Sequence, residues 1–240
     1  MHYKLEIELL SAVNPGSGAG WAGVIDSDVV FDAAGLPYIP GRRLRGIARE
    51  MAVEVVTALR AADAVAVAVG NGSNNAFTLT LTLTPTTPAP AATAIEHLFG
   101  KAGQDHSAPL AIANAELENA GAVRAWLQWA QQTTPHLAAP DRIISTLTHV
   151  RQQTAIAGNG VAQEHSLRTT RVLNAGLKFV SALELADEKY LPLLALALQV
   201  TRSLGGKRNR GLGKIRCRLL DAQTGEDVTQ QTLDEFAKEK

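Results

Sequence analysis

The sequence predicts an α+β fold in which helices pack on a sheet, and three observations carry that prediction. Tyr3, Leu5, Ile7 and Leu9 alternate with Lys4, Glu6 and Glu8, and Ile215, Cys217 and Leu219 alternate with Lys214, Arg216 and Arg218, the period of half-buried strands at both ends of the chain. Leu44, Ile47, Met51, Val55 and Ala58 recur at three- and four-residue steps, which predicts an amphipathic helix from just beyond Gly41 to about Arg60. The intervening order of strand, helix, variable insert, strand, helix and strand fits a sandwich of one sheet with helices.

In chain order, the first strand gives way to Asn14-Pro15-Gly16-Ser17-Gly18-Ala19-Gly20, which forbids regular structure. Val24-Ile25 and Val29-Val30-Phe31 read as short strand pieces around Asp26, before a turn at Asp32-Ala33-Ala34-Gly35. Pro37-Tyr38-Ile39-Pro40-Gly41 is extended, since proline disfavours helix in the residue before it. Residues 61–94 turn to Ala, Val, Thr, Asn, Gly and Pro. Within them, alternation over 65–69 and 77–83 predicts a β-hairpin turning at residues 70–75, with a Thr-Pro loop from Thr84 to Thr93. A helix over 117–132 carries Trp126 and Trp129, expected to pack into a small local core rather than to stack on bases. Residues 141–170 are polar and weakly periodic, a long loop or protruding element. Val172 to Leu185 reads as a strand kinked at Gly176. Asp187 then caps a helix holding Leu191, Leu194, Leu198 and Leu204, closed by Gly205-Gly206.

Hydrophobic residues at 46% and charged residues at 19% suffice for a core without staples, and the whole of 1–240 is expected to be a single domain. The lone cysteine, Cys217, excludes an internal disulfide and a multi-cysteine zinc site, and suits a reducing, cytoplasmic setting. No apolar run reaches membrane-spanning length. The six histidines are scattered without metal-ligand spacing.

Net charge is zero, so the total favours no polyanion, but the cations are concentrated. Arg42, Arg43, Arg45 and Arg49 gather at the start of the first helix, where the helix dipole opposes positive charge by up to ~1 kcal/mol per side chain. A bound phosphate would resolve that conflict, and so would side chains reaching into solvent. Arg202, Lys207, Arg208, Arg210, Lys214, Arg216 and Arg218 form the second cluster. Its core, Gly205-Gly206-Lys207-Arg208-Asn209-Arg210-Gly211-Leu212-Gly213-Lys214, combines glycines that let a backbone approach a ligand with cations around the same space. It matches neither a Walker loop nor a dinucleotide loop, and phosphate of RNA or DNA is favoured over a plain basic turn.

These two segments also carry a family likeness. Gly23 to Val29, followed by Pro37-Tyr38-Ile39-Pro40-Gly41-Arg42-Arg43-Leu44-Arg45-Gly46, resembles the N-terminal signature of RAMP (repeat-associated mysterious protein) backbone subunits of type III CRISPR complexes. The C-terminal glycine loop resembles their second signature. Leu98-Phe99-Gly100, Asn114-Ala115-Glu116-Leu117, Thr154-Ala155-Ile156, Leu167-Arg168 and Arg171 to Gly176 lie between them in the family's order. The chain departs in having Arg42-Arg43 where a serine follows Pro-Gly, and residues 61–94 have no counterpart in shorter members.

The resemblance implies a ferredoxin-like, RNA-recognition-motif-like core with a thumb-like protrusion at 141–170 and an inserted hairpin at 61–94. It implies an RNA interface from Arg42, Arg43, Arg45, Arg49, Arg151, Arg168 and Arg171, together with Gly205, Gly206, Lys207, Arg208, Arg210, Gly211, Gly213 and Lys214. The implied partners are guide RNA, target RNA, other effector subunits and further copies of backbone subunits. Asp26 matches the aspartate of target-cleaving members, where a carboxylate positions or deprotonates a ribose 2′-hydroxyl, or holds a magnesium or manganese ion. An aspartate in such a segment also serves turns. A purely architectural subunit is the rival reading. A guide-processing ribonuclease using His2 or His149 is a third.

Overall fold

The computed structural model describes residues 1–16, 25–61, 89–101, 108–136, 138–156, 158, 160–163, 165–206 and 210–238. The hairpin expected over 65–83 and the loop residues Lys207 and Arg208 fall outside these.

The chain opens with β1 (His2–Leu9), whose alternation buries Tyr3, Leu5, Ile7 and Leu9. β2 (Val30–Phe31) and β3 (Pro37–Ile39) form a short antiparallel pair around the Asp32 turn, where the Asp32 carboxylate accepts the Ala34 and Leu36 N–H groups at 2.9 Å each. α1 (Gly41–Ala61) buries Leu44, Ala48, Ala52 and Val56 on one stripe. α2 (Ala89–Phe99), β4 (Leu110–Ile112), β5 (Ala115–Leu117), α3 (Ala120–Thr133) and α4 (Pro140–Leu147) follow. β6 (Thr148–Gln153) and β7 (Arg168–Leu173) pair into a separate antiparallel ribbon. β8 (Lys178–Leu185), a 3-10 turn at Glu188–Tyr190, α5 (Leu191–Val200), β9 (Ile215–Asp221) and α6 (Val228–Lys238) complete the chain.

The main sheet runs β2-β3-β5-β8-β1-β9, with β4 also paired to β8, and every pairing is antiparallel. Its apolar face meets α1, α2 and α5 in one core that includes the fully buried Leu5, Ile7, Leu98, Phe179, Leu183 and Leu194. Side chains of this size each contribute ~1.5–3 kcal/mol when withdrawn from water. α5 is apolar nearly all round because it lies between α1, α6 and β9. Leu36, Leu127, Ala130 and Ala138 form a second small cluster that seats α3 and α4.

The α+β class, the two alternating terminal strands and the first helix are as expected. Several local readings change. Leu117 belongs to β5, so the helix after it starts at Ala120. Trp126 and Trp129 are each 59% exposed, because Leu127 and Ala130 occupy the one buried side of α3. Residues 141–170 are mostly regular: α4 and then a ribbon on which Thr148, Thr170, Val172 and Leu173 near the root are buried while the other described residues stay accessible. The kinked strand divides at Gly176 (φ 84°) into β7 and β8 of different sheets. The helix after Asp187 ends at Val200, short of Leu204, and Ala89–Thr93 are helical instead of loop. Asp187 caps the 3-10 turn Glu188–Tyr190, its carboxylate accepting the Lys189 N–H, and not α5 itself, whose N-cap is Tyr190.

Candidate nucleic-acid interface

The exit of β1 joins the two basic segments. Asn14, only 6% exposed, donates its side-chain amide to the Arg171 carbonyl (2.6 Å) and the Ser27 carbonyl (3.3 Å), while its oxygen accepts the Ser27 hydroxyl (3.2 Å). It thereby ties the 25–28 segment to β7. On its other side the Asn14 carbonyl packs against Gly205, whose φ is +82°; a Cβ there would lie 1.9 Å from that oxygen. Two residues on, a Cβ at Gly16 would come within 3.0 Å of Arg43 Nη2. Residues 14–16 thus lie against the start of α1 on one side and the glycine loop on the other. Sequence reasoning read them only as a breaker, and the signal available was an amide side chain directly before Pro-Gly at a strand exit.

The glycine loop is closed at its base by the Leu204 N–H to Gly213 carbonyl bond (2.8 Å) and held to the segment leaving β1 by Gly213 N–H to the Ala12 carbonyl (2.9 Å). Gly213 (φ +85°) has no room for a Cβ, which would meet the Leu204 carbonyl at 2.5 Å, whereas Gly206 and Gly211 face open space. Two glycines therefore serve close packing within the chain, and two leave the backbone approachable from outside. Arg210 reaches from the loop to the ribbon, donating to Gln153 Oε1 at 3.3 Å.

Gln153 lies opposite Arg168 in the ribbon register, and Arg151 is two residues along on the same face. Arg168 Nη1 stands 3.6 Å from Asp26 Oδ1, and the Thr169 N–H donates to Asp26 Oδ2 at 2.6 Å. Asp26 is exposed and held against β7 at Thr169 with Arg168 beside it, and Gln153, paired to Arg168 across the ribbon, meets Arg210. Among the described residues no group of three or more His, Cys, Asp or Glu side chains could hold a metal ion.

Other predicted cations have internal duties. Arg171 Nη1 contacts both oxygens of the buried Asp28 at 3.2 Å, and its guanidinium lies 5.8 Å from the Phe31 ring centre. Arg45 Nη2 donates to the Phe99 carbonyl at 2.7 Å, fastening α1 to the end of α2. Arg42, Arg43 and Arg49 are exposed. The N-terminus of α1 is spoken for in part, because Gly41 N–H donates to Asn114 Oδ1 (3.0 Å) and a Cβ at Gly41 would overlap the Ile112 carbonyl at 2.2 Å. His149 Nδ1 pairs with Asn174 Oδ1 at 2.7 Å, and His2 faces Glu184 at 3.6 Å at the far end of the sheet. On the open sheet face Arg216 meets Glu8 (3.0 Å) and Arg218 meets Glu6 (2.8 Å).

The family model of the RAMP superfamily matches residues 6–216. Among solved structures the fold is similar to a chain of type III-B Cmr-beta, imaged by cryo-EM with cognate target RNA. The TM-score is 0.60 at 12% identity, over 97% of this chain and 98% of that one. A chain of the apo state of type III-B Cmr-beta gives a TM-score of 0.58 at 12% identity, over 92% and 98% respectively. None of the curated proteins compared matches significantly. The family match takes in the arginines of α1, the Asn14 junction and the glycine loop that packs on it, and by that match the chain belongs to the RAMP superfamily.

Proposed function

We propose that this chain is a guide-RNA-binding backbone subunit of a type III CRISPR effector ribonucleoprotein, and that it cleaves target RNA paired to the guide. The observation that carries the reading is the convergence of the two basic segments on residues 14–16, through Arg43 at Gly16 and Gly205 at Asn14. Exposed cations from α1 and the loop, together with the approachable backbone at Gly206 and Gly211, suit a phosphate chain and read no bases. The likeness to a type III-B Cmr-beta chain bound to cognate target RNA supports target RNA and other effector subunits as partners, and the same reading adds guide RNA and further copies of backbone subunits. The β6–β7 ribbon is the thumb in this reading, and residues 61–94 are the insertion that shorter members lack.

Asp26 supplies the cleavage chemistry. Thr169 N–H fixes Oδ2, and Oδ1, with Arg168 Nη1 at 3.6 Å, accepts a ribose 2′-hydroxyl and so positions it for attack on the adjacent phosphate. A single carboxylate fits a magnesium or manganese ion that shares its shell with RNA phosphates, and does not fit a resident all-protein site. Such an ion would be held by Asp26 and would offset charge developing on the phosphate.

The test assembles complexes on one guide with wild-type, Asp26→Ala and Asp26→Asn chains and supplies complementary RNA with magnesium or manganese. Asn can still accept the Thr169 N–H, so it removes the charge while keeping the local bond. Cleavage should fall by ~100-fold or more in both variants with guide retention unchanged. Unchanged cleavage would remove Asp26 from the mechanism. Absence of cleavage by the wild type would favour the architectural reading.

A further inference from the structure

We propose that the outer edge of β9 is a docking site for a short, extended, acidic segment of a partner protein, which adds to the sheet as one more strand. β9 is the last strand of the main sheet. Its register fixes where the backbone points. Leu10 N–H reaches the Lys214 carbonyl (2.9 Å), so even-numbered residues face β1, and Ile215, Cys217, Leu219 and Asp221 turn their N–H and C=O groups outward. Three of those four N–H groups are taken, Ile215 by the Arg202 carbonyl (3.0 Å), Leu219 by Thr229 Oγ1 (2.8 Å) and Asp221 by the Glu226 carbonyl (2.9 Å). Among the described residues nothing accepts the Cys217 N–H. The end of α5 and the start of α6 hold the chain apart at this point, leaving a cleft of about 630 Å³. From Ile215 to Leu219 the opening spans ~13 Å, enough for about three added residues.

The chemistry of the cleft selects the occupant. Arg202 and Lys214 line it and have no acidic partner among the described residues, and Asp227 is the one acid in the lining. Arg216 and Arg218 are already matched by Glu8 and Glu6. A peptide backbone offers both a donor and an acceptor, as the outward Cys217 carbonyl and N–H require, and an acidic side chain beside the pairing residue meets Arg202 and Lys214. A phosphodiester has acceptors only. Its phosphate oxygens would leave the Cys217 carbonyl unanswered. The cleft therefore favours an acidic strand over RNA, and the pattern expected is an acid on one or both sides of a small residue lying between Gln199 and Gln230.

The experiment uses the full chain with three labelled probes: a peptide of alternating Asp and Thr, its Lys and Thr counterpart, and an oligouridine of similar length. Polarisation should register the acidic peptide and not the basic one, and Arg202→Glu should weaken that binding by about tenfold or more. Arg210→Glu, on the glycine loop, should weaken oligouridine binding and spare the peptide. Amide exchange at Cys217 should slow by about tenfold on adding the acidic peptide, since pairing sequesters that N–H. The proposal fails if the acidic peptide does not bind, or if it binds without slowing Cys217 exchange. It fails too if Arg202→Glu costs oligouridine binding and not peptide binding.

Discussion

The C-terminal basic cluster divides into two groups with opposite electrostatic fates. On β9, Arg216 and Arg218 project onto the open sheet face, where the antiparallel register sets Glu8 and Glu6 directly across from them. Among the described residues, Arg210 in the loop contacts a neutral glutamine and no acid, and Lys214 has no acidic partner. Cations equally dense in sequence are therefore neutralised in one place and left to attract anions in the other. Partner strands decide which. The open face of this sheet is a charge-balanced ladder, unlike the loop side, where backbone and cations are presented together.

The glycines offer the largest test of that contrast. Gly205→Ala would force a side chain onto the Asn14 carbonyl at a left-handed φ and should cost ~3 kcal/mol or more, lowering the melting temperature by roughly 6–12 °C. Gly206→Ala meets nothing within 4 Å and should change stability by under about 1 kcal/mol. Equal effects in a thermal scan would erase the distinction between packing and presenting glycines. The charges come next. Replacing Arg210 and Lys214 by alanine should flatten the slope of log affinity against log salt for single-stranded RNA by about 1.4, whereas Arg216→Ala with Arg218→Ala should change it by less than half as much. A larger change from the sheet pair would make the ladder, and not the loop, the phosphate surface.

A smaller effect concerns the helix side of β9. Burial pushes the Cys217 thiol up to about 12, so the fold accommodates its neutral form. The unfolded chain releases this proton near the ordinary value of 9.0. Stability from this group is thus complete below pH 9 and is lost as pH rises towards 12. Denaturant titrations at pH 8 and pH 10.5 should show a drop that Cys217→Ala reduces. The smallest effect is expected at the exposed tryptophans. Trp126→Ala or Trp129→Ala should cost under about 0.5 kcal/mol, against the ~3–5 kcal/mol of a buried tryptophan. A large loss would restore the packing once expected of them.

Features fixed by local period were legible in the sequence. Tyr3 to Leu9 and Ile215 to Leu219 are buried on alternate residues because one side faces the core, and α1 follows its apolar stripe for the same reason. The ribbon was not legible, since strands left accessible on both faces beyond their root carry no alternation. Trp126 and Trp129 misled because α3 needs only Leu127 and Ala130 to seat it. At the site, the identity of the segments was readable and their internal division of labour was not. Whether Gly205 serves a ligand or the chain depends on Asn14 arriving from the other end of the sequence. Arg171 likewise resembled any other cation until Asp28 was placed against it.

Asp26 takes its orientation from Thr169, a residue of the ribbon, and not from its own segment alone. A change in ribbon angle therefore displaces the carboxylate as well. By reciprocity, any ligand that prefers one ribbon angle also biases the fraction of molecules in which the Asp26–Thr169 bond is made, and loss of that bond weakens the preference for that ligand in equal measure. Ribbon and carboxylate are thermodynamically linked through the paired Asp26–Thr169 bonds, backbone N–H to carbonyl one way and N–H to carboxylate the other.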